Sequence, residues 1–153
     1  MKVSKNLSKR SESTLIAQTL LLLPLMALCL KAFGLKRSYM GLLRLTTAAD
    51  SAPIPTEPAT SISRDLAQIV IRVNRIYMPY MFSCLPESLT LWYLLRRRRV
   101  TARLRLGVRT VTGFFESHAW VEYNQTSLND IDNIAEIFEP FDLSTIKYKK
   151  GPA

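Results

Sequence analysis

Residues 84–109 read CLPESLTLWYLLRRRRVTARLRLGVR, and residues 115–130 read FESHAWVEYNQTSLND. The first stretch contains a change of period. Leu85, Leu89, Trp92 and Leu95 recur at helical spacing, whereas Ala102, Leu104, Leu106 and Val108 alternate with Arg103, Arg105 and Arg109. A helix therefore gives way to a half-buried strand near Thr101. Pro86 is tolerated only in a first helical turn and Glu87 complements the dipole there, so the helix is predicted to start at Cys84 or Leu85. Arg96 to Arg99 suit its negative end. Phe115 to Tyr123 reads as a second strand, with Phe115, Ser117, Ala119 and Val121 on one face and Glu116, His118, Trp120 and Glu122 on the other. Asn124 to Thr126 is expected to be a three-residue hairpin turn into a third strand carrying Leu128, Asn129 and Asp130. A helix followed by antiparallel strands gives an α+β fold, with the helix packed on the sheet.

Upstream, Leu66, Ile69, Val70, Val73 and Tyr77 fall on one face of a second helix, with Ser63 as its N-cap, Asp65 in its first turn and Pro79 as its stop. Thr46 to Ser63, with Pro53, Pro55 and Pro58 among small polar residues, reads as a linker. Before it, Leu15 to Leu30 (LIAQTLLLLPLMALCL) follows Lys2, Lys5, Lys9 and Arg10 and is apolar on every side. It is short of the roughly 20 residues a span requires, and no cleavage site closely follows it. Three readings stand: a helix buried in the domain or against a partner, a helix attached at a membrane interface, or a signal or anchor. After Ile131, the spacing of Ile134, Ile137, Phe138 and Phe141 predicts a short acidic helix, and Lys147 to Ala153 a mobile tail. The expected organisation is a basic, leucine-rich helical region at 1–45, the linker at 46–63, a catalytic domain at 64–145 and a basic tail at 146–153.

A chain of 153 residues, 48% of them apolar, is sufficient for one core. Its net charge of +9 is uneven: residues 1–45 and 81–115 are basic, 46–80 balance, and 116–153 are acidic. Neither aromatic–basic interleaving nor a binding motif accompanies the basic runs, so nucleic acid is not expected as a partner. Cys29 and Cys84 lie in unlike surroundings and do not suggest a disulfide framework, which suits a free thiol in a reducing cytoplasm. Cys29, inside the apolar run, reads as a packing residue. With one histidine and no CxxC, HxxxH, GxSxG, phosphate loop or GxGxxG, neither a metal nor a cofactor is expected.

A cysteine at a helix start is by itself more often a small buried hydrophobe, and a lone histidine more often structural than catalytic. Together they mean more. The unpaired N–H groups of a helix start lower a thiol pKa and can face an oxyanion, so Cys84 is a candidate nucleophile and His118 its base. With a three-residue turn, His118 opposes Asp132 while Trp120 opposes Asp130, which leaves Asp130 diagonal to the ring. Spacing therefore leaves both aspartates as candidates for the acid that orients the histidine.

The two quoted stretches resemble the leader peptidases of lasso peptide biosynthesis, which are similar to the C-terminal half of the microcin-processing B protein and share a transglutaminase-like, papain-like core. Cys84-Leu85-Pro86, the Gly107-Val108 strand end and His118-Ala119-Trp120-Val121-Glu122 carry most of the resemblance, which runs from about Ile69 to Asp130. Arg99 stands where that family commonly has glycine. The resemblance implies a cysteine endopeptidase with Cys84, His118 and Asp130 as its catalytic residues, which selects Asp130 over Asp132. It implies as partners a precursor peptide of leader and core, a separate leader-recognition protein and an ATP-dependent lasso cyclase. The leucine-rich N-terminal run is similar to the family's leading helix, which favours burial over secretion and a cytoplasmic enzyme, with contact at the inner membrane face left open. Two other functions fit the same residues: a transglutaminase-like amidase or acyl transferase on another substrate, and a non-catalytic module holding a partner on the basic face from Arg96 to Arg109.

Overall fold

A computed structural model describes residues 9–46, 54–77 and 84–141. Three helices, α1 (Lys9–Thr46), α2 (Thr56–Tyr77) and α3 (Cys84–Arg96), precede an antiparallel sheet of β1 (Arg103–Val111), β2 (Phe114–Tyr123), β3 (Thr126–Ser127) and β4 (Glu139–Phe141). A single turn of helix, α4 (Ile134–Ile137), precedes β4, and the strand order is β3-β2-β1-β4. The architecture is α+β, as the change of period predicts.

Helix α3 is the centre of the molecule. Leu89, Trp92 and Leu95 are buried as their spacing predicts, but so are Pro86, Ser88, Thr90, Leu91 and Leu94. The helix is covered on both sides, by α1 and α2 on one and by β1 and β2 on the other. After Arg96 the chain reverses through Arg99, whose φ of 59° lies in the left-handed region that glycine takes without strain. Arg98 caps the helix, its Nη1 donating to the Leu94 carbonyl (3.1 Å), while Arg96 Nε donates to Thr46 Oγ1 at the end of α1 (3.0 Å).

Helix α1 is tied into this core. Pro24 has no N–H for the carbonyl one turn back, that of Leu20, and Tyr77 Oη at the end of α2 donates to that carbonyl instead (2.9 Å). Gly34, at φ 74° and ψ 170°, breaks α1 into two helical pieces.

Helix α2 begins at Thr56, not after Ser63, so much of the expected linker is helical. Pro55 supplies the carbonyl that accepts the Ala59 N–H (3.1 Å), and Pro58 lies in the first turn, where its missing N–H costs nothing. Ser63 is no cap: it is buried within the helix, and its hydroxyl donates to the Ala59 carbonyl (2.6 Å). Small polar residues that look like a loop thus bond back onto the preceding turn. Helix α2 ends at Tyr77; Pro79, the tail from Lys147 and most of the residues between α1 and α2 lie outside the described residues.

In β1, Leu104 and Leu106 are buried as expected, whereas Val108 is 38% exposed, because the outer half of the β1–β2 hairpin runs past the helices. Phe138 and Phe141 are not helical: the chain extends after one turn, and β4 pairs with Leu106, Gly107 and Val108. Trp120, Ile134 and Phe138 form a second small core on the sheet face opposite α3. Gly107 lies beneath it. A Cβ there would stand 2.7 Å from Phe138 Cβ and 2.9 Å from the Trp120 ring, so Gly107→Ala is expected to destabilise the fold by about 1–3 kcal/mol in urea unfolding.

Candidate active site

Cys84 is the first residue of α3 and is half-buried. The backbone N–H groups of Ala119, in β2, and of Cys84 itself lie near its sulfur. Both favour a thiolate, but burial outweighs them and pushes the thiol up, with the charges of Glu87 and Asp130 adding to the effect. The expected depression of the thiol pKa by the helix start is therefore overturned. Desolvation wins because α3 packs into the domain interior from its first turn.

His118 neighbours Ala119 on β2, and its ring packs between Trp120 and Phe138, with centroids 6.4 Å and 5.2 Å away. Its Nε2 is hydrogen-bonded to Oδ2 of Asp130, whose Oδ1 accepts the backbone N–H of Ile131 (2.8 Å). Both carboxylate oxygens are thus committed, one to the ring and one to the carboxylate's own loop. Nδ1 is the ring nitrogen left for proton exchange. Asp132 is exposed.

The route by which Asp130 reaches the ring differs from the expected hairpin. Tyr123 pairs with Thr126, so the turn has two residues, Asn124 and Gln125, at φ 48° and 63°. Moreover, β3 ends at Ser127, so neither aspartate faces β2 in a ladder. Asn129 takes over instead. Its Oδ1 accepts the Val121 N–H (2.8 Å), and its Nδ2 donates to Glu87 Oε1 and Ser88 Oγ (3.0 Å each). Ser88 Oγ donates to the Ala119 carbonyl (2.9 Å), and Asn74 of α2 holds the other oxygen of Glu87. One side-chain amide therefore joins the cysteine's helix to the histidine's strand and leaves the next residue, Asp130, against the ring.

A sequence profile of the transglutaminase-like superfamily matches residues 26–140, well over half of the chain. The chain belongs to the transglutaminase-like superfamily. Members of this superfamily are in general cysteine hydrolases and transferases. No curated protein and no solved structure matches the chain significantly. The matched span runs from within α1 to β4, so it includes Cys84, His118, Asp130 and the polar network joining their elements. Glu87, Ser88, Asn129 and Asn74 are the residues of this transglutaminase-like domain whose part sequence reasoning missed. The available signal was Glu87 and Ser88, adjacent polar residues in a helix whose other residues from Leu85 to Leu95 are apolar apart from Thr90 and Tyr93. Among the described residues no group of three His, Cys, Asp or Glu side chains is placed to hold a metal ion.

Proposed function

We propose that this protein is a cysteine endopeptidase that removes the leader from a ribosomally made lasso peptide precursor. The observation that carries the catalytic part is the His118–Asp130 hydrogen bond, on the strand whose next residue, Ala119, has its backbone N–H near the Cys84 sulfur. The precursor class is supported by the resemblance at Cys84-Leu85-Pro86 and from His118 to Glu122. His118 Nδ1 takes the thiol proton as Cys84 Sγ attacks the scissile carbonyl, and Asp130 stabilises the imidazolium. The buried thiol makes this transfer part of the attack, without a standing ion pair. N–H groups of the first α3 turn face the tetrahedral oxyanion. Collapse of the intermediate breaks the C–N bond, His118 protonates the departing amine, and the leader is left as a thioester on Cys84. Water then attacks the thioester, releasing the leader carboxylate and restoring the thiol. The freed core amine is the group that an ATP-dependent cyclase would close into a lactam.

A separate leader-binding protein belongs to this reading, because tethering the leader raises the effective concentration of the cut site. Initial cleavage rates of full-length precursor are expected to rise at least about tenfold with that partner, and the rise is expected to vanish when the leader is truncated outside the cut site. Equal, partner-independent rates on both precursors would mean that the enzyme recognises the cut site by itself.

A further inference from the structure

The fold uses only one face of α1. Leu15, Thr19, Leu23 and Met26 share a buried face against α2 and α3. At about 100° per residue, Leu21, Leu25 and Leu28 fall together on the opposite face, where they are 75%, 52% and 62% exposed. An apolar ridge without one charged residue from Ser13 to Leu30 therefore faces outward. Its borders are cationic. Lys31, Lys36 and Arg37 are exposed about the Gly34 break, with Phe33 exposed among them, and on the flank Arg97 and Arg98 line a shallow depression with Gln18. The one acid of α1, Glu12, is already paired with Arg72 (3.8 Å).

We propose that α1 seats this protein on an anionic lipid surface, with Leu21, Leu25, Leu28 and Phe33 among the acyl chains and Lys31, Lys36 and Arg37 at the headgroup phosphates. Leucines bordered by cations, with an aromatic at the boundary, are what a helix lying in the interface needs. The helix lies on the bilayer and does not cross it. Although Ser11–Thr46 is long enough to span and holds an 18-residue window of mean hydropathy 2.0, crossing would strip Leu15, Leu23 and Met26 from the core and break the Tyr77–Leu20 bond. A second copy is a poor occupant, since it would bring two chains of net charge +9 together along their basic helices. A protein partner is poorly served by a convex row of leucines, a residue type under-represented among interface hot spots.

Co-flotation of the full-length protein with phosphatidylcholine vesicles, with and without phosphatidylglycerol, tests this without reference to cleavage. Binding is expected to the anionic vesicles, at least about tenfold weaker to the neutral ones, and reversible by salt and by alkaline carbonate. The triple change Leu21→Ser, Leu25→Ser and Leu28→Ser is expected to weaken binding about a hundredfold with the thermal midpoint unchanged, and Lys31→Glu with Lys36→Glu at least about tenfold. Absence of flotation, equal binding by the serine variant, resistance to carbonate, or a leucine-dependent dimer in lipid-free buffer would each overturn the proposal.

Discussion

Cys84→Ala is expected to abolish precursor cleavage, a fall of about 10⁴-fold or more, while Cys29→Ala leaves the rate unchanged. Cys84, unlike Cys29, stands at a helix start with a strand N–H near its sulfur, that of the residue after His118. Cys29 is half-buried in the middle of α1. Cys84→Ser is expected to be as inactive, because a hydroxyl held by the same groups is a far weaker nucleophile. The resting state of the thiol makes the assignment sharper. Because burial raises its pKa, alkylation of Cys84 in a Cys29→Ala background is expected to be slow at neutral pH and to climb through a midpoint above that of an ordinary thiol. Alkylation already at its plateau at neutral pH would reveal a standing thiolate–imidazolium pair and contradict proton transfer during attack.

The second large effect is expected at Asp130. Asp130→Asn keeps the shape but replaces a charged acceptor of the ring with an amide, and kcat is expected to fall about 10²- to 10⁴-fold. Asp132→Asn, at an exposed position, is expected to stay within about twofold of the unchanged enzyme. Rates of precursor cleavage for the two variants, with circular dichroism to verify folding, measure the difference. The reverse order would move the orienting role to Asp132.

Much of what positions the site is written in local pattern. Pro86 and Glu87 fix the start of α3, and alternation from Arg103 and from Phe115 marks the two long strands. The errors arise where a non-local contact or a missing neighbour decides. Thr56 to Ser63 has the composition of a linker, but Ala59 and Ser63 are buried, and burial turns the segment into helix. Val108 keeps the alternation yet is left 38% exposed. The turn length depended on Asn124 and Gln125 both taking positive φ, which Asn favours and Gln does not advertise. Asn129 is the clearest case: its partners Glu87 and Ser88 are 42 and 41 residues away, so no window along the chain contains the reason for it. The thiol pKa fails in the same way, because the helix start is visible in the sequence and the burial is not.

The clamp at Asn129 also bears on how this protein can vary. The amide fixes Asp130 downstream of a turn that has only to reverse the chain, and the ladder between turn and clamp has just the Tyr123–Thr126 and Glu122–Ser127 pairs. A residue gained or lost at Asn124–Gln125 is absorbed there, as a bulge or a longer tip, before it reaches the carboxylate. The Asn129-Asp130 step and the run from Cys84 to Ser88 have no such slack: one inserted residue turns the carboxylate off the ring or the sulfur off Ala119. Relatives of this chain are therefore expected to differ in the length of the hairpin tip and to keep two short spacings, Asn-Asp and Cys-x-x-Glu-Ser.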